Sequence, residues 1–268
     1  MFKYFLAPLE DYTGPALRKL CFDNGVDLTF SEMTRVEGIV RNNKATLSKI
    51  EIKDSTPVQI QLLPSNEEQL EKYVKNFVTF DGFCGFNLNL CCPSKHIVSV
   101  GRGGAMVKRI EKTDKLVKII QKENYPVSIK LSLGLNDFEK DNKVYLQNIL
   151  GTTADFYIVQ TKTASQKSGE NYDYSLLNEC VDTGKEIIAN GEINTALKVN
   201  QMKKIGCKGV MIGRSAILNP AIFNELKGKK TKPFEVLASE YKTLCEKYNE
   251  KEKYFNNFLK AKQTGNFY

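Results

Sequence analysis

The sequence predicts an α/β fold, a (β/α)8 TIM barrel with a short helical extension at its C-terminal end. Short apolar segments typical of buried strands alternate with segments whose apolar residues recur at helical spacing. Eight such units fit into about 225 residues, close to the ~250 that a barrel of this type occupies. The chain has 268 residues, which leaves room for one barrel and an appendage.

The predicted strands are short apolar runs, most of them followed by a helical pattern. This alternation favours a parallel sheet that is covered by helices. The predicted strands are Tyr4–Pro8, Val26–Phe30, Pro57–Leu62, Phe83–Asn89, Val127–Leu131, Phe156–Val159, Glu186–Ala189 and Val210–Ile212.

Helical periodicity separates most of these strands. Pro15, after Thr13 and Gly14, marks the start of the first helix, and Ser65 and Asn66 offer capping side chains before the second. The predicted helices are Ala16–Cys21, Glu67–Phe77, Lys112–Lys122, Val144–Leu150, Ala196–Ile205 and, as the last helix of the barrel, Ala216–Leu226.

The chain changes character after residue 228. The segment GKKTKP, residues 228–233, follows the last barrel helix and breaks the helical pattern at Pro233. A further short helix is predicted around Phe255 to Leu259. We therefore expect a barrel domain over 1–228 and a C-terminal helical region over 229–268. One face of the first helix in that region is predicted from apolar residues spaced three and four apart: Phe234, Leu237, Tyr241, Leu244 and Tyr248.

Composition excludes several classes of protein. No run approaches the ~20 apolar residues of a membrane span, and no convincing signal peptide opens the chain. Seven cysteines without a CxxC pair, and a single histidine, argue against a structural zinc site and fit free thiols in a reducing cytoplasm. The formal net charge of +8 favours polyanion binding or lysine-rich solvated helices, and charge alone leaves both open.

The stretch NLNLCCPSKHIVSVGRGGA, residues 87–105, holds the most suggestive side chains. Pro93 cannot continue a strand and favours an extended conformation for Cys92. A thiol at a strand end, beside Asn89 and before a glycine-rich loop, is a candidate reactive group. A buried structural cysteine on a tight turn is the alternative, and the spacing alone does not decide between them.

Polar side chains also end most of the other predicted strands, where barrels place their active-site groups. Two glycine loops stand out, Asn190-Gly191-Glu192 and Gly213-Arg214-Ser215, because such loops late in a barrel bind phosphate through backbone N–H groups and a helix N-terminus. A pair of tight turns with a surface arginine is the alternative, which two loops together disfavour. The strand-end set is Gln61, Asn89 with Cys92, Lys130, Gln160 with Lys162, Asn190, and Gly213 with Arg214.

The Asn-x-x-Cys-Pro-Ser motif and the glycine loop after it resemble the signature of the dihydrouridine synthases, flavin enzymes that reduce uridine in RNA. The resemblance extends over essentially the whole barrel. It implies that Cys92 is the general acid and that Asn89 helps to position substrate and flavin, although the family usually has glycine in place of Cys91. It further implies FMN as cofactor, NADPH or NADH as reductant and RNA, with tRNA expected, as substrate. Separately from the resemblance, we expect a monomer.

The same resemblance assigns further site residues. Glu32, in Ser-Glu-Met, matches an element on the substrate side. The family's strand-six His-x-Arg, which approaches flavin phosphate and RNA, is here Gln160-Thr161-Lys162, so that Gln160 is expected at the flavin and Lys162 at the RNA. The residues expected to hold the cofactor are Ala7, Pro8, Leu9, Gln61, Lys130, Gln160, Asn190, Gly191, Glu192, Gly213 and Arg214.

The implied reaction passes hydride from reduced FMN to C6 of uracil while Cys92 protonates C5. Two alternatives remain open at this point. One is an FMN barrel oxidoreductase that acts on a small molecule. The missing His-x-Arg and the short C-terminal region favour it, and the double-cysteine motif and the basic charge argue against it. The other is a non-catalytic RNA-binding protein, against which the presence of Cys92, Lys130 and both phosphate loops argues.

Overall fold

The computed structural model describes residues 1–64, 66–167, 169–170 and 172–267. All strand pairs in this part of the chain are parallel, as the sequence predicts. The strands are β1 (Lys3–Leu6), β2 (Thr29–Phe30), β3 (Thr34–Arg35), β4 (Val58–Leu63), β5 (Phe83–Leu90), β6 (Val127–Ser132), β7 (Phe156–Gln160), β8 (Ile187–Asn190) and β9 (Gly209–Ile212).

The strands form a nearly closed TIM barrel, in the order β1-β9-β8-β7-β6-β5-β4-β2. An isolated bridge between Phe5 and Leu28 links β1 to the segment that leads into β2. Both β2 and β3 pair with β4 and together make one barrel strand. Between Thr29 and Thr34 this strand advances five positions while β4 advances four, so residues 31–33 form a bulge.

Helices connect the strands and cover the outside of the barrel. In the described part of the chain they are α1 (Pro15–Asp23), α2 (Val36–Val40), α3 (Lys44–Leu47), α4 (Glu67–Lys75), α5 (Lys95–Ser99), α6 (Ile110–Lys122), α7 (Asp137–Asp141), α8 (Val144–Leu150), α9 (Leu177–Asp182), α10 (Ala196–Ile205), α11 (Arg214–Leu218), α12 (Ile222–Leu226), α13 (Phe234–Tyr248) and α14 (Glu252–Thr264). Short 3-10 turns cover Ser48–Ile50, Gly103–Met106 and Tyr174–Leu176.

Two predictions about helix boundaries need comment. The predicted helix over 216–226 is wrong as a continuous element, because Asn219 takes an extended conformation before Pro220 and separates α11 from α12. At the start of α4, the Asn66 side chain accepts a hydrogen bond from the Gln69 N–H at 2.8 Å, so the predicted cap forms there. Ser65, the other capping candidate, lies outside the described residues.

Side chains of alternate strand residues fill the barrel interior, which is apolar on one side and polar on the other. The apolar cluster is formed by Phe5, Ala7, Phe30, Ile158, Ile188 and Met211. The strands β4, β5 and β6 instead carry buried polar side chains at every second position: Gln59, Gln61, Asn87, Asn89, Ser128 and Lys130. This polar wall runs along the strands towards their C-terminal ends, where polar groups are expected in a barrel enzyme.

The C-terminal helices α13 and α14 pack against the barrel, with α13 on α1 and α14 on α11. Phe258 and Tyr241 are fully buried in the core that the barrel helices also share. The Glu250 carboxylate, between the two helices, accepts a hydrogen bond from the Ala16 N–H at 2.8 Å and so caps α1. A Cβ at Gly14 would lie 2.4 Å from that carboxylate, so the approach requires glycine. Among the described residues, no helix combines the length and apolar character needed to cross a membrane.

Candidate active site

A cleft of about 800 Å³ opens at the C-terminal ends of the barrel strands. It brings together all but one of the fifteen residues that the sequence predicts for the site. Met33 and Tyr172, which were not predicted, also line it. The predicted residues that line the cleft are Ala7, Pro8, Leu9, Gln61, Asn89, Cys92, Lys130, Gln160, Lys162, Asn190, Gly191, Glu192, Gly213 and Arg214.

Glu32 is the exception, and its predicted place in the site needs correction. The bulge at residues 31–33 turns Met33 towards the cleft, while Glu32 is buried elsewhere, with 1% of its surface exposed. Burial raises the pKa of its carboxyl group to about 7, against the opposing effects of Tyr254 and Lys49. The Tyr254 hydroxyl is near, but neither carboxylate oxygen receives a well-directed hydrogen bond from a described residue.

Cys92 lies two residues beyond the end of β5, on the loop that the proline motif predicts. The side-chain oxygen of Asn89 accepts hydrogen bonds from the N–H groups of Cys91, at 3.1 Å, and Cys92, at 3.0 Å. The Gly104 N–H donates to the Cys92 carbonyl at 3.0 Å. A Cβ at Gly103, whose φ is +56°, would lie 2.7 Å from that same carbonyl oxygen, which explains the glycine. Both sides of the loop therefore hold Cys92 in place.

The environment of the Cys92 thiol favours its protonated form. Partial burial raises the pKa of Cys92, and the positive charges of Lys130 and Arg35 oppose this only in part. Cys91 is the more deeply buried of the two cysteines, and burial also raises its pKa. Cys92 lines the cleft with a thiol that stays protonated at neutral pH, so it can donate a proton.

A directed chain of hydrogen bonds runs from the Cys92 loop down the polar wall of the barrel. Asn89 Nδ2 donates to Gln61 Oε1 at 2.8 Å, and Gln61 Nε2 donates to Asn87 Oδ1 at 2.8 Å. Asn87 Nδ2 donates to Ser128 Oγ at 2.7 Å, and Ser128 donates to Gln59 Oε1 at 2.5 Å. Each amide is oriented by the one below it, so the orientation of Asn89 is fixed from within the barrel.

Lys130 lies beside Asn89 in the register of β5 and β6. Only 7% of its surface is exposed, and its ammonium group makes no hydrogen bond or ion pair within the described part of the chain. Its charge lowers the pKa values of Cys91 and Cys92, so it lies within electrostatic reach of both thiols. A buried cation without a partner is costly, and a ligand with an acceptor or a negative charge would remove that cost.

The loops after β8 and β9 meet at the other end of the cleft. Among described residues, the N–H groups of Gly191 and Gly213 donate to no acceptor. The Arg214 guanidinium binds the Glu192 carboxylate at 2.6 Å. The helix that begins at Arg214 has only five residues, so the glycine N–H groups and the arginine, rather than a helix dipole, characterise this end of the cleft.

Lys162 lies at this same end of the cleft, where the sequence predicts a contact with RNA. It is half-buried, and its ammonium group donates to the carbonyls of Gln166 at 3.2 Å and Lys167 at 3.4 Å. Burial lowers the pKa of Lys162, and the nearby charge of Arg214 lowers it further. Two cations therefore converge beside the glycine loops.

Tyr172 completes this end of the cleft and was missed in the sequence. Its hydroxyl accepts a hydrogen bond from Arg214 at 3.4 Å, and the Lys162 ammonium lies 5.8 Å from the centre of its ring. A Cβ on Gly191, whose φ is +139°, would lie 2.4 Å from the Tyr172 ring. Tyr172 is far from any strand end in the sequence, so no local pattern marks it.

The chain is similar in sequence to known proteins over most of its length. Residues 5–265 match the family model described as Dihydrouridine synthase (Dus). A probable tRNA-dihydrouridine synthase of Helicobacter pylori is 30% identical over 239 residues, which span 85% of this chain and 71% of that protein. A probable tRNA-dihydrouridine synthase of Aquifex aeolicus is 26% identical over 232 residues, 84% of this chain and 72% of that protein.

Solved structures resemble the chain at the level of the fold. DHODH of Eimeria tenella, determined in complex with ferulenol, superposes with a TM-score of 0.57 at 13% identity and covers 84% of this chain and 79% of that one. At this identity the likeness concerns the barrel and not its chemistry.

Proposed function

The chain belongs to the dihydrouridine synthase family, and we propose that it reduces uridine in tRNA to 5,6-dihydrouridine, with FMN as cofactor and NADPH or NADH as reductant. The family match over nearly the whole chain and relatives described as tRNA-dihydrouridine synthases support the reaction. Cys92, Lys130 and the two glycine loops line the same cleft, and this supports the assignment of the site.

The observation that carries the choice of cofactor is the buried ammonium group of Lys130. A reduced flavin ring is anionic at its N1–C2 edge, and a lysine placed there stabilises that charge. A Cβ on Gly213 would lie 3.3 Å from the Leu9 side chain and 3.4 Å from the Ala7 Cβ, so glycine lets the loop after β9 lie close to the residues that follow β1. The residues present therefore fit a flat ring at Lys130 and a phosphate at the glycine loops.

The residues that would hold FMN are Lys130 and Gln61 at the ring, and Arg214 with Gly191 and Gly213 at the phosphate. Bound FMN, once reduced by NADPH or NADH, supplies the hydride that adds to C6 of the uracil ring.

The protein's own part in the reaction is to supply a proton. The Cys92 thiol donates its proton to C5 on the face of the uracil that turns towards the loop, and the thiolate that forms lies within reach of the Lys130 charge. Asn89 keeps the loop in register during this step, through both of its backbone hydrogen bonds.

The tRNA must deliver a single unstacked base, because a paired uracil cannot reach the floor of a barrel cleft. Lys95 and Lys167 are exposed on the rim of this cleft and are placed to contact the phosphates of the RNA backbone.

The experiment that tests the function uses the purified full chain, FMN, NADPH and an unmodified tRNA transcript. We expect dihydrouridine in the transcript, detected as a mass increase of about two hydrogens in digested nucleosides, and no product without NADPH. If the protein binds and reduces FMN but leaves tRNA unmodified, while it turns over a free pyrimidine, the small-molecule alternative is correct instead. A protein that does not bind FMN at all would contradict the oxidoreductase assignment.

A further inference from the structure

At the end of β7, where the resemblance implies a His-x-Arg segment, this chain has Gln160 and Lys162. Gln160 is a neutral hydrogen-bond donor, and Lys162 carries a positive charge without the fork geometry of arginine. In the structure, Tyr172 enters this end from the loop after β7 and lies directly against Gly191 and Arg214.

The Tyr172 hydroxyl lines the cleft and can donate a hydrogen bond to a ligand there. It accepts its hydrogen bond from Arg214 at 3.4 Å, so its own hydrogen remains to be donated. No described residue accepts that hydrogen. The ring is held independently of the hydroxyl, by Gly191 below it, Lys162 on its face and the Tyr174 ring, stacked at 6.3 Å.

The groups around this hydroxyl include two cations, each with a carboxylate nearby. Glu192 binds Arg214, and the charge of Glu170 acts on Lys162. An anion at this end would therefore be held by hydrogen-bond donors rather than by a net charge. Among described residues, the N–H groups of Gly191 and Gly213 have no acceptor and add neutral donors. A phosphate monoester, with three acceptor oxygens and a charge near −2, matches this set of donors.

We propose that Tyr172 is a specificity-determining residue of the cofactor site: its hydroxyl binds the flavin phosphate and selects the phosphorylated flavin over riboflavin. The inference rests on the proposed function, since it needs a flavin in the cleft. It assigns to a loop tyrosine a neutral hydrogen bond beside the charged groups of Lys162 and Arg214.

The test is a fluorescence titration of wild type and Tyr172→Phe with FMN and, separately, with riboflavin. The substitution keeps the ring and removes only the hydroxyl. We expect the Kd for FMN to rise about ten-fold to a hundred-fold, the usual loss for a hydrogen bond to a charged group, and the Kd for riboflavin to stay unchanged. Tyr125→Phe is the matched control, because it removes a hydroxyl bound to Phe77 outside the cleft.

Two results would overturn the inference without touching the proposed function. One is that wild type and Tyr172→Phe bind FMN equally well. The other is that Tyr172→Phe weakens FMN and riboflavin by the same factor, which would mean that the tyrosine acts on the shape of the cleft and not on the phosphate. A wild-type protein that binds neither flavin would overturn the inference together with the proposed function.

Discussion

The side-chain oxygen of Asn89 lies 3.0 Å from the backbone nitrogen of Cys92 and accepts its hydrogen bond. The same oxygen accepts from the Cys91 N–H. The last inward-facing residue of β5 therefore fixes the loop that carries the thiol, and the thiol's position follows from the strand. The sequence predicts Asn89 as a substrate-binding residue, and the structure adds that it orients the loop of Cys92, the proposed proton donor.

Replacement of Asn89 by alanine should therefore act on the Cys92 loop. We expect Asn89→Ala to lower the free energy of unfolding by about 3 kcal/mol, because three hydrogen bonds are removed, two from the loop and one to Gln61. The substitution should also reduce dihydrouridine formation strongly while FMN is retained. Urea unfolding and nucleoside mass spectrometry measure the two effects. Asn66→Ala, which removes a similar bond at the start of α4, should destabilise the protein without reducing activity per folded molecule.

Substitution of the two adjacent cysteines should separate the proton donor from its neighbour. Cys92→Ala should leave the reduction of FMN by NADPH intact and abolish dihydrouridine formation. Cys91→Ala should retain product formation, because Cys91 is buried beside Asn89. The opposite pattern would mean that the motif is misaligned by one residue.

The rate at which Cys92 protonates the uracil should depend on pH in one direction. Burial raises the pKa of Cys92 above its ordinary value of 9.0, so the thiol keeps its proton throughout the neutral range. The reoxidation rate of reduced enzyme by tRNA should therefore hold steady up to that pH and fall only in more alkaline solution. A rate that already falls between pH 7 and 8 would contradict a buried thiol as the proton donor, because the pKa of that thiol lies above its ordinary value.

Glu32 should make the stability of the protein depend on pH. Its pKa is about 7 in the folded state and 4.5 without the effect of burial, so the folded state binds the proton more tightly. The free energy of unfolding should therefore fall as pH rises from 4.5 to 7, by on the order of 3 kcal/mol from this group. Glu32→Gln should remove that part of the slope in urea titrations between pH 5 and 8, whereas the exposed Glu235→Gln should not.

RNA binding should depend on the lysines of the cleft rim. The double substitution of Lys95 and Lys167 by glutamate should weaken tRNA binding and lower the log–log salt slope by about 0.7 to 0.9 for each phosphate that is no longer neutralised. FMN content should not change. Filter binding at several salt concentrations measures this, with Lys75→Glu, at the end of α4, as the control. Equal salt slopes for wild type and the double variant would place the RNA elsewhere.

The barrel and most of the candidate site could be predicted from the sequence, because the C-terminal ends of all strands meet at one face of a barrel, whatever the conformation of the loops. The polar wall can also be predicted from the sequence. Gln59 and Gln61, like Asn87 and Asn89, are two positions apart, and this spacing places side chains on one face of a strand. The rule that active-site groups lie at strand ends selects only the second residue of each pair.

The errors came from features that periodicity does not encode. Glu32 turned away from the cleft because a bulge adds one residue to its strand and reverses which side chain faces inward. Lys162 lies in the cleft near Arg214, and its contact with RNA stays a prediction. Tyr172, which the sequence analysis does not single out, joins them from a loop. These positions depend on contacts between segments that are distant in the sequence, which no local pattern reports.

The capping of α1 by Glu250, together with the pairing of β1 with β9, bears on how a newly made chain folds. A ribosome makes β1 long before its neighbour in the sheet, and α1 long before its cap. Until the segment that carries β9 and Glu250 has been made, the nascent barrel keeps an unpaired strand edge and an uncapped helix. The barrel therefore cannot close before β9 has been made. A chain whose synthesis stalls before this strand leaves the edge of the sheet exposed, where it can be bound by chaperones or can aggregate.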